Sequence, residues 1–269
     1  MLVRTLIALI LFCCASAPSQ PIATRDKLVA AKAATMDADY RGDLAALATL
    51  RTQSAALSAD PSLGYLADYW SGYASHRLAM NGAGANMPLD EMKQHLERAI
   101  AGYESSFHKK SDFADGYAAA ASSHAWLAAW YQKDPDAMKS QIEIAARLLA
   151  KAEELEPANP RVLWVRAAFF LYSPPDHGGN RDRAIEIYHQ QAEVSKPLDP
   201  KSPLPDWGKA EAMMSLAFAH SMGNSPDLNA AADEARAALR LQPHWHYVKD
   251  ILMPKIEAGR KQTSDGAKK

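Results

Sequence analysis

The chain is cut into helix-length pieces, and no other feature constrains its fold as much. From Thr24 onward, apolar residues recur at helical spacing, and breakers interrupt them roughly every 15–25 residues. Asp60-Pro61, Asp134-Pro135, Pro157-Ala158-Asn159-Pro160 and Gln242-Pro243 stop helices, because proline lacks the N–H and disfavours helix in the residue before it. Gly82, Gly84, Gly178 and Gly179 mark turns. The pattern predicts helices at 24–40, 43–58, 62–80, 88–107, 112–132, 136–155, 160–172, 181–195, 208–222, 228–241 and 245–259. Alanine is abundant and valine scarce, which favours helix over sheet on propensity as well.

The pieces repeat. A shift of about 48 residues places Tyr69 on Tyr117, Gly72 on Ala120 and then Ala168, and Ser75-His76 on Ser123-His124. The same shift places His124 on Tyr172, Tyr172 on His220, and Pro157 on Pro205. Several such coincidences at one place in a helix indicate helix hairpins of one design. A lone hairpin cannot bury its apolar face, whereas stacked hairpins share one continuous core. Alanine at the crossings lets helices approach closely. Ala99, Ala120, Ala145, Ala152, Ala168, Ala184 and Ala238 are expected there, and a bulky residue at Ala168 is expected to overpack the core. The last helix, with Tyr247, Ile251, Leu252 and Ile256, is expected to cap the stack.

At this point the chain resembles the tetratricopeptide-repeat superfamily. The second-helix pattern of that family, small-xxx-large-xx-Ala followed by proline, is matched by Ala145, Leu149, Ala152 and Pro157. Ala231, Ala235, Ala238 and Pro243 repeat it, with alanine at the larger position. Trp164, Ala167, Ala168 and Leu171 match the first-helix pattern. The likeness covers roughly 60–245, with hairpins longer than the usual repeat. Trp207-Gly208 and the Pro174–Gly179 loop also look like segments of exported relatives, among them the periplasmic T-component of tripartite transporters. The resemblance implies an all-α solenoid of stacked antiparallel hairpins whose first helices line a concave face for extended peptides or other ligands. On that face it places His76, His124, Tyr172 and His220, with Tyr69 and Tyr117 two turns earlier, as candidate binding residues. The bland alternative for each ring is a satisfied side chain between helices.

The N-terminus reads as an export signal over 1–19. Arg4 supplies the positive start, Leu6–Phe12 the short apolar run, and Cys13–Ser19 the small residues. Ala15-Ser16-Ala17 has the small-x-small form of a cleavage site but would put Pro18 after the cut; cutting after Ser19, with Ala17 and Ser19 as the small pair, avoids that. Phe12 before Cys13 argues against a lipidated cysteine. Removal of the signal takes away both cysteines, and with them any disulfide or thiolate chemistry. The expected organisation is therefore a signal peptide at 1–19, a helical repeat domain at 20–260 and a disordered tail at 261–269, with the product periplasmic or extracellular.

Thirty basic against 31 acidic residues give a net charge of −1, which argues against a general nucleic-acid binder. No P-loop, dinucleotide fingerprint, nucleophile elbow or His-Glu-x-x-His helix is present. Neighbouring helices stand about 8–10 Å apart, so the histidine row cannot share one metal. His244 and His246 point to different helix faces. The sequence thus predicts a non-catalytic scaffold that binds a protein or peptide segment, without cofactor or metal and without membrane insertion. One alternative is a transporter-associated binder of small molecules, with a pocket among Trp126, Trp130, Tyr131, Trp164, Phe169, Phe170 and Tyr172. An enzyme of unrecognised type is the third.

Overall fold

The structure is a computed structural model that describes residues 20–266. The expected export signal lies outside the described residues, as do the last three residues of the expected tail. Eleven α-helices and no strand occur among the described residues. They are α1 (Gln20–Arg41), α2 (Leu44–Ala55), α3 (Gly64–Gly84), α4 (Leu89–Lys109) and α5 (Ala114–Trp130). Then come α6 (Pro135–Leu155), α7 (Pro160–Tyr172), α8 (Arg181–Val194), α9 (Lys209–His220), α10 (Leu228–Leu241) and α11 (Met253–Gly266).

The helix starts follow from local chemistry. Asp43, Asp134, Asn159, Asn180 and Asp227 each accept a hydrogen bond from a backbone N–H in the first turn that follows. Each satisfies a donor that would otherwise have no partner. Pro135 and Pro160 stand at the first helical position, where a missing N–H costs nothing. The last predicted helix opens as a π turn, Tyr247–Leu252, before α11. Pro254 explains the irregularity, since it cannot donate to the carbonyl one turn back.

Successive helices pair as α1/α2, α3/α4, α5/α6, α7/α8 and α9/α10, and each pair stacks on the next. First helices also touch first helices, α1 on α3, α3 on α5, α5 on α7 and α7 on α9, so they form the inner layer. The fold is an all-α solenoid. At the α3/α4 crossing two glycines meet: a Cβ on Gly102 would lie 2.9 Å from the Asp68 carbonyl oxygen and 3.0 Å from Gly72 Cα. Only hydrogen at both positions allows this approach.

Ala99, Ala120, Ala145, Ala152, Ala184 and Ala238 are fully buried, as expected of crossing positions. Ala168 is not; it is half-buried, and Ala167 holds the buried position on α7. A shift of one residue turns a helical side chain by about 100°, so the overpacking expected at Ala168 moves to Ala167. In the C-terminal cap, Leu252 and Ile256 are buried and Val248 joins them, while Ile251 is exposed and Tyr247 half-buried. α11 continues to Gly266, past residue 261 where a tail was expected to begin; Arg260 ties it to Asn229 on α10 and pairs with Glu257 within α11.

Candidate functional site

Between α8 and α9 the chain runs without helix over 195–208, and this strap crosses the inner layer. Its sequence carries Pro197, Pro200, Pro203 and Pro205, none of which can continue a helix. From residue 203 onward it has no regular secondary structure, with a bend at Leu204, and burial alternates along it. Pro203, Pro205 and Trp207 are buried, while Leu204 is 47% exposed.

First-helix side chains hold the strap by its main chain. Lys32 of α1 donates to the carbonyls of Asp199 and Ser202, both at 3.1 Å, and pairs with Asp206 at 2.5 Å. Arg25 donates to the Lys201 carbonyl at 2.7 Å and Trp70 to the Pro203 carbonyl at 2.8 Å. The Trp207 indole N–H donates to Tyr69 Oη at 3.2 Å, and the Trp207 carbonyl accepts from Arg161 at 3.4 Å. The Trp207 ring stands edge-on to Trp164, centroids 5.6 Å apart, a favoured aromatic arrangement.

Beside the strap lies a buried polar cluster. Asp39 accepts from Arg77 Nε at 2.5 Å and from Tyr73 Oη at 3.0 Å. Glu211 accepts from Tyr40 Oη and from the Gly208 N–H. Burial pushes the Glu211 carboxyl above its ordinary range, with the Tyr40 hydrogen bond opposing the shift. Arg161 grips Asp115 through Nε at 2.5 Å. A cavity of about 50 Å³ remains among these groups, touching Asp39, Tyr73, His76, Arg77, Glu211 and Trp245. At roughly 10–15 Å³ per water it has room for a few waters and no organic ligand.

The six residues expected to share one concave face fall into different settings. Tyr69 is fully buried under the strap. His76 is buried, its Nδ1 2.9 Å from Ser123 Oγ on α5, and burial followed by the Arg77 charge lowers its pKa to about 3. Tyr117 is half-buried and stacks on Phe107 of α4, centroids 4.1 Å apart. His124 and His220 turn toward the second helix of their own hairpins: His124 Nδ1 meets Gln141 of α6 at 2.6 Å, and His220 Nδ1 meets Glu234 of α10 at 2.8 Å. Only Tyr172, 56% exposed, presents its ring at the surface. It lies 6.4 Å from the Trp126 ring of α5 and 6.1 Å from the Phe218 ring of α9. These rings sit at or near the C-terminal ends of three successive first helices and make an aromatic rim. Sequence reasoning put Trp126 and Tyr172 in one cluster. It missed Phe218, which lies one hairpin further on, 46 residues from Tyr172 rather than the repeat shift.

Elsewhere, an open surface groove lies between the α2–α3 turn and the end of α4. Its Lys109 is engaged by Asp68 and Ser58 and its Lys110 by Asp112. Among the described residues, no group of three or more His, Cys, Asp or Glu side chains is placed to hold a metal ion. No helix among them is long and apolar enough to cross a membrane.

No family model matches the chain, and no curated protein matches it. Among solved structures it is similar to a thermophilic tetratricopeptide-repeat protein of Thermus thermophilus, with 18% identity, a TM-score of 0.50, and coverage of 80% of this chain and 91% of that one. It also aligns with the HusA haemophore of Porphyromonas gingivalis at 22% identity and a TM-score of 0.47, over 77% of this chain and 95% of that one. The first likeness and the stacked hairpins together give the chain a tetratricopeptide-repeat-like fold.

Proposed function

We propose that the protein is an exported, non-catalytic binding protein that recognises a protein or peptide segment across its first helices. The observation that carries this reading is the rim of Trp126, Tyr172 and Phe218. Three consecutive hairpins each place one ring there, and Tyr172 is 56% exposed while packed between the other two. An apolar side chain laid across such a rim gains burial and ring contacts on a scaffold that is already ordered. The groove at the α2–α3 turn, about 690 Å³, is open to solvent and lies away from the mid-chain rings. A small-molecule pocket among those rings therefore has only the space of about 50 Å³ beside Trp164, far below the several hundred Å³ such sites occupy. The ionisable groups around that space are engaged with one another, which favours a structural role for them over a catalytic one.

The test is affinity capture from cell envelopes with the wild-type chain and Tyr172→Ala. Tyr172 is exposed, so its truncation leaves melting nearly unchanged. A specific partner lost in the variant supports the reading. A folded protein that captures nothing, or whose partner ignores Tyr172, refutes it.

A further inference from the structure

We infer that the strap 195–208 is an internal competitor, seated where the chain receives an external segment of the same kind: non-helical, proline-bearing and ending in an Asp-Trp pair. The inference rests on the reading of the first helices as a peptide-binding face and says what that face recognises.

Four observations carry it. First, the strap is held as a bound peptide is held. Lys32, Arg25, Trp70 and Arg161, from α1, α3 and α7, donate to five of its carbonyls, those of Asp199, Ser202, Lys201, Pro203 and Trp207. Main-chain recognition of this sort accepts any segment of matching shape, and proline lowers the ordering cost of such a segment. Second, the seat reads every other residue. Pro203, Pro205 and Trp207 point inward, so specificity lies in two prolines and an indole at two-residue spacing. Third, the first half of the strap is held only by its main chain, through the carbonyls of Asp199 and Lys201, with its side chains outside the seat. The stretch from Lys196 to Lys201 is exposed, and Leu198 and Leu204 are each 47% exposed. Release can therefore begin at the exposed end. Fourth, the acid beside the indole is engaged: Asp206 Oδ2 accepts from Lys32 of α1 at 2.5 Å and from the Asp199 N–H at 2.7 Å.

Tethering explains why such a competitor would keep the seat occupied. A segment joined by short linkers acts at an effective concentration of the order of millimolar. A free peptide with micromolar affinity for the empty seat then binds the intact chain about 1,000-fold more weakly, or about 100-fold if the tether's effective concentration is about tenfold lower.

The experiment uses a fluorescein-labelled peptide of residues 196–207 and a scrambled control, read by anisotropy. The proteins are the full chain and a variant with 196–207 replaced by an equally long Gly-Ser linker. The expected result is binding to the linker variant at least about 100-fold tighter than to the full chain. Lys32→Ala and Trp70→Phe in the linker background should each lose about tenfold, and the scrambled peptide should not bind. Equal binding to both proteins, or none to a folded linker variant, overturns the inference. If circular dichroism shows the linker variant unfolded, Asp206→Asn in the full chain, which weakens the pair with Lys32 and leaves the buried indole untouched, takes its place. That variant should bind the peptide at least about tenfold more tightly than wild type, and an unchanged affinity overturns the inference. The two readings separate cleanly. A folded opened chain that ignores the peptide while a Tyr172-dependent partner is still captured removes the strap inference and leaves the peptide-binding face. Failure of both removes both.

Discussion

His76 should make the fold sensitive to mild acid, and its surroundings set the size of the effect. The Ser123 hydroxyl donates to the Ala119 carbonyl at 3.1 Å, so at 2.9 Å it receives its proton from His76 Nδ1. The ring is therefore the neutral Nδ1–H tautomer. Protonating Nε2 would place a second cation beside Arg77 inside the core, and for both reasons the folded pKa falls from the ordinary 6.5 to about 3. The unfolded chain takes up a proton as the pH drops through 6.5, and the folded chain does not. Stability is thus complete above 6.5 and drains away as pH falls toward 3. At about 1.4 kcal/mol per pH unit, this one group costs about 2 kcal/mol by pH 5 and about 4–5 kcal/mol by pH 3. His76→Gln keeps a donor for Ser123 but does not titrate. Urea unfolding of both proteins at pH 7.5, 6, 5 and 4 measures the difference directly. The wild type should lose about 2 kcal/mol more than the variant between pH 7.5 and 5. Two parallel curves, agreeing within about 0.5 kcal/mol throughout, would refute the placement of a neutral histidine in the core.

Other perturbations have equally definite outcomes. Trp207→Ala removes a buried indole and leaves Tyr69 Oη without its donor, so chemical denaturation should show a loss of about 4–6 kcal/mol. Trp207→Phe keeps most of the burial and should cost about 1–3 kcal/mol. Gly102→Ala should destabilise by about 1–3 kcal/mol despite the better helix propensity of alanine, because its Cβ meets backbone on α3; thermal melting decides. Glu211 has a raised folded pKa, so its contribution is present below its unfolded value of 4.5 and is lost as pH rises through the folded value. Glu211→Gln should therefore gain stability relative to wild type as the pH rises above 4.5, read from the pH dependence of the urea midpoint.

The helices were legible because their signals are local. Proline and capping residues fix the ends, and α7 and α10 occupy 160–172 and 228–241, the spans read from the sequence. The buried alanines follow from the same periodicity, and the error at Ala168 is one of phase. The site was less legible for two reasons. Recurrence at one repeat shift shows equivalent positions along helices, and equivalent positions need not face one space. His76 bonds to the neighbouring first helix, whereas His124 and His220 bond to their own hairpins. The strap was invisible for the other reason. Its partners Lys32, Tyr69 and Trp70 lie more than 130 residues away, and nothing in a proline-rich connector announces which distant side chains will hold its carbonyls. The Trp207 indole and the four prolines were the available signal, being costly residues to leave in an idle loop.

Contacts between the two ends of the chain also change how it should fold. An ordinary solenoid is quasi-one-dimensional; each repeat answers only to its neighbours, so the array can nucleate anywhere and fray from its ends. Here Tyr40 of α1 packs edge-on against Trp245, centroids 5.0 Å apart and 205 positions later in the sequence, and bonds to Glu211 as well. A zipper that starts in the middle must therefore wait for a closure of some 200 residues before its last contacts form. Such separation raises contact order and slows folding relative to a linear array of the same length. It also couples the termini: shortening the chain after α10 would strip Trp245 from Tyr40 and loosen the first hairpin, the element furthest away in sequence. The nearest-neighbour additivity that lets repeats be added or removed at will does not extend to this chain.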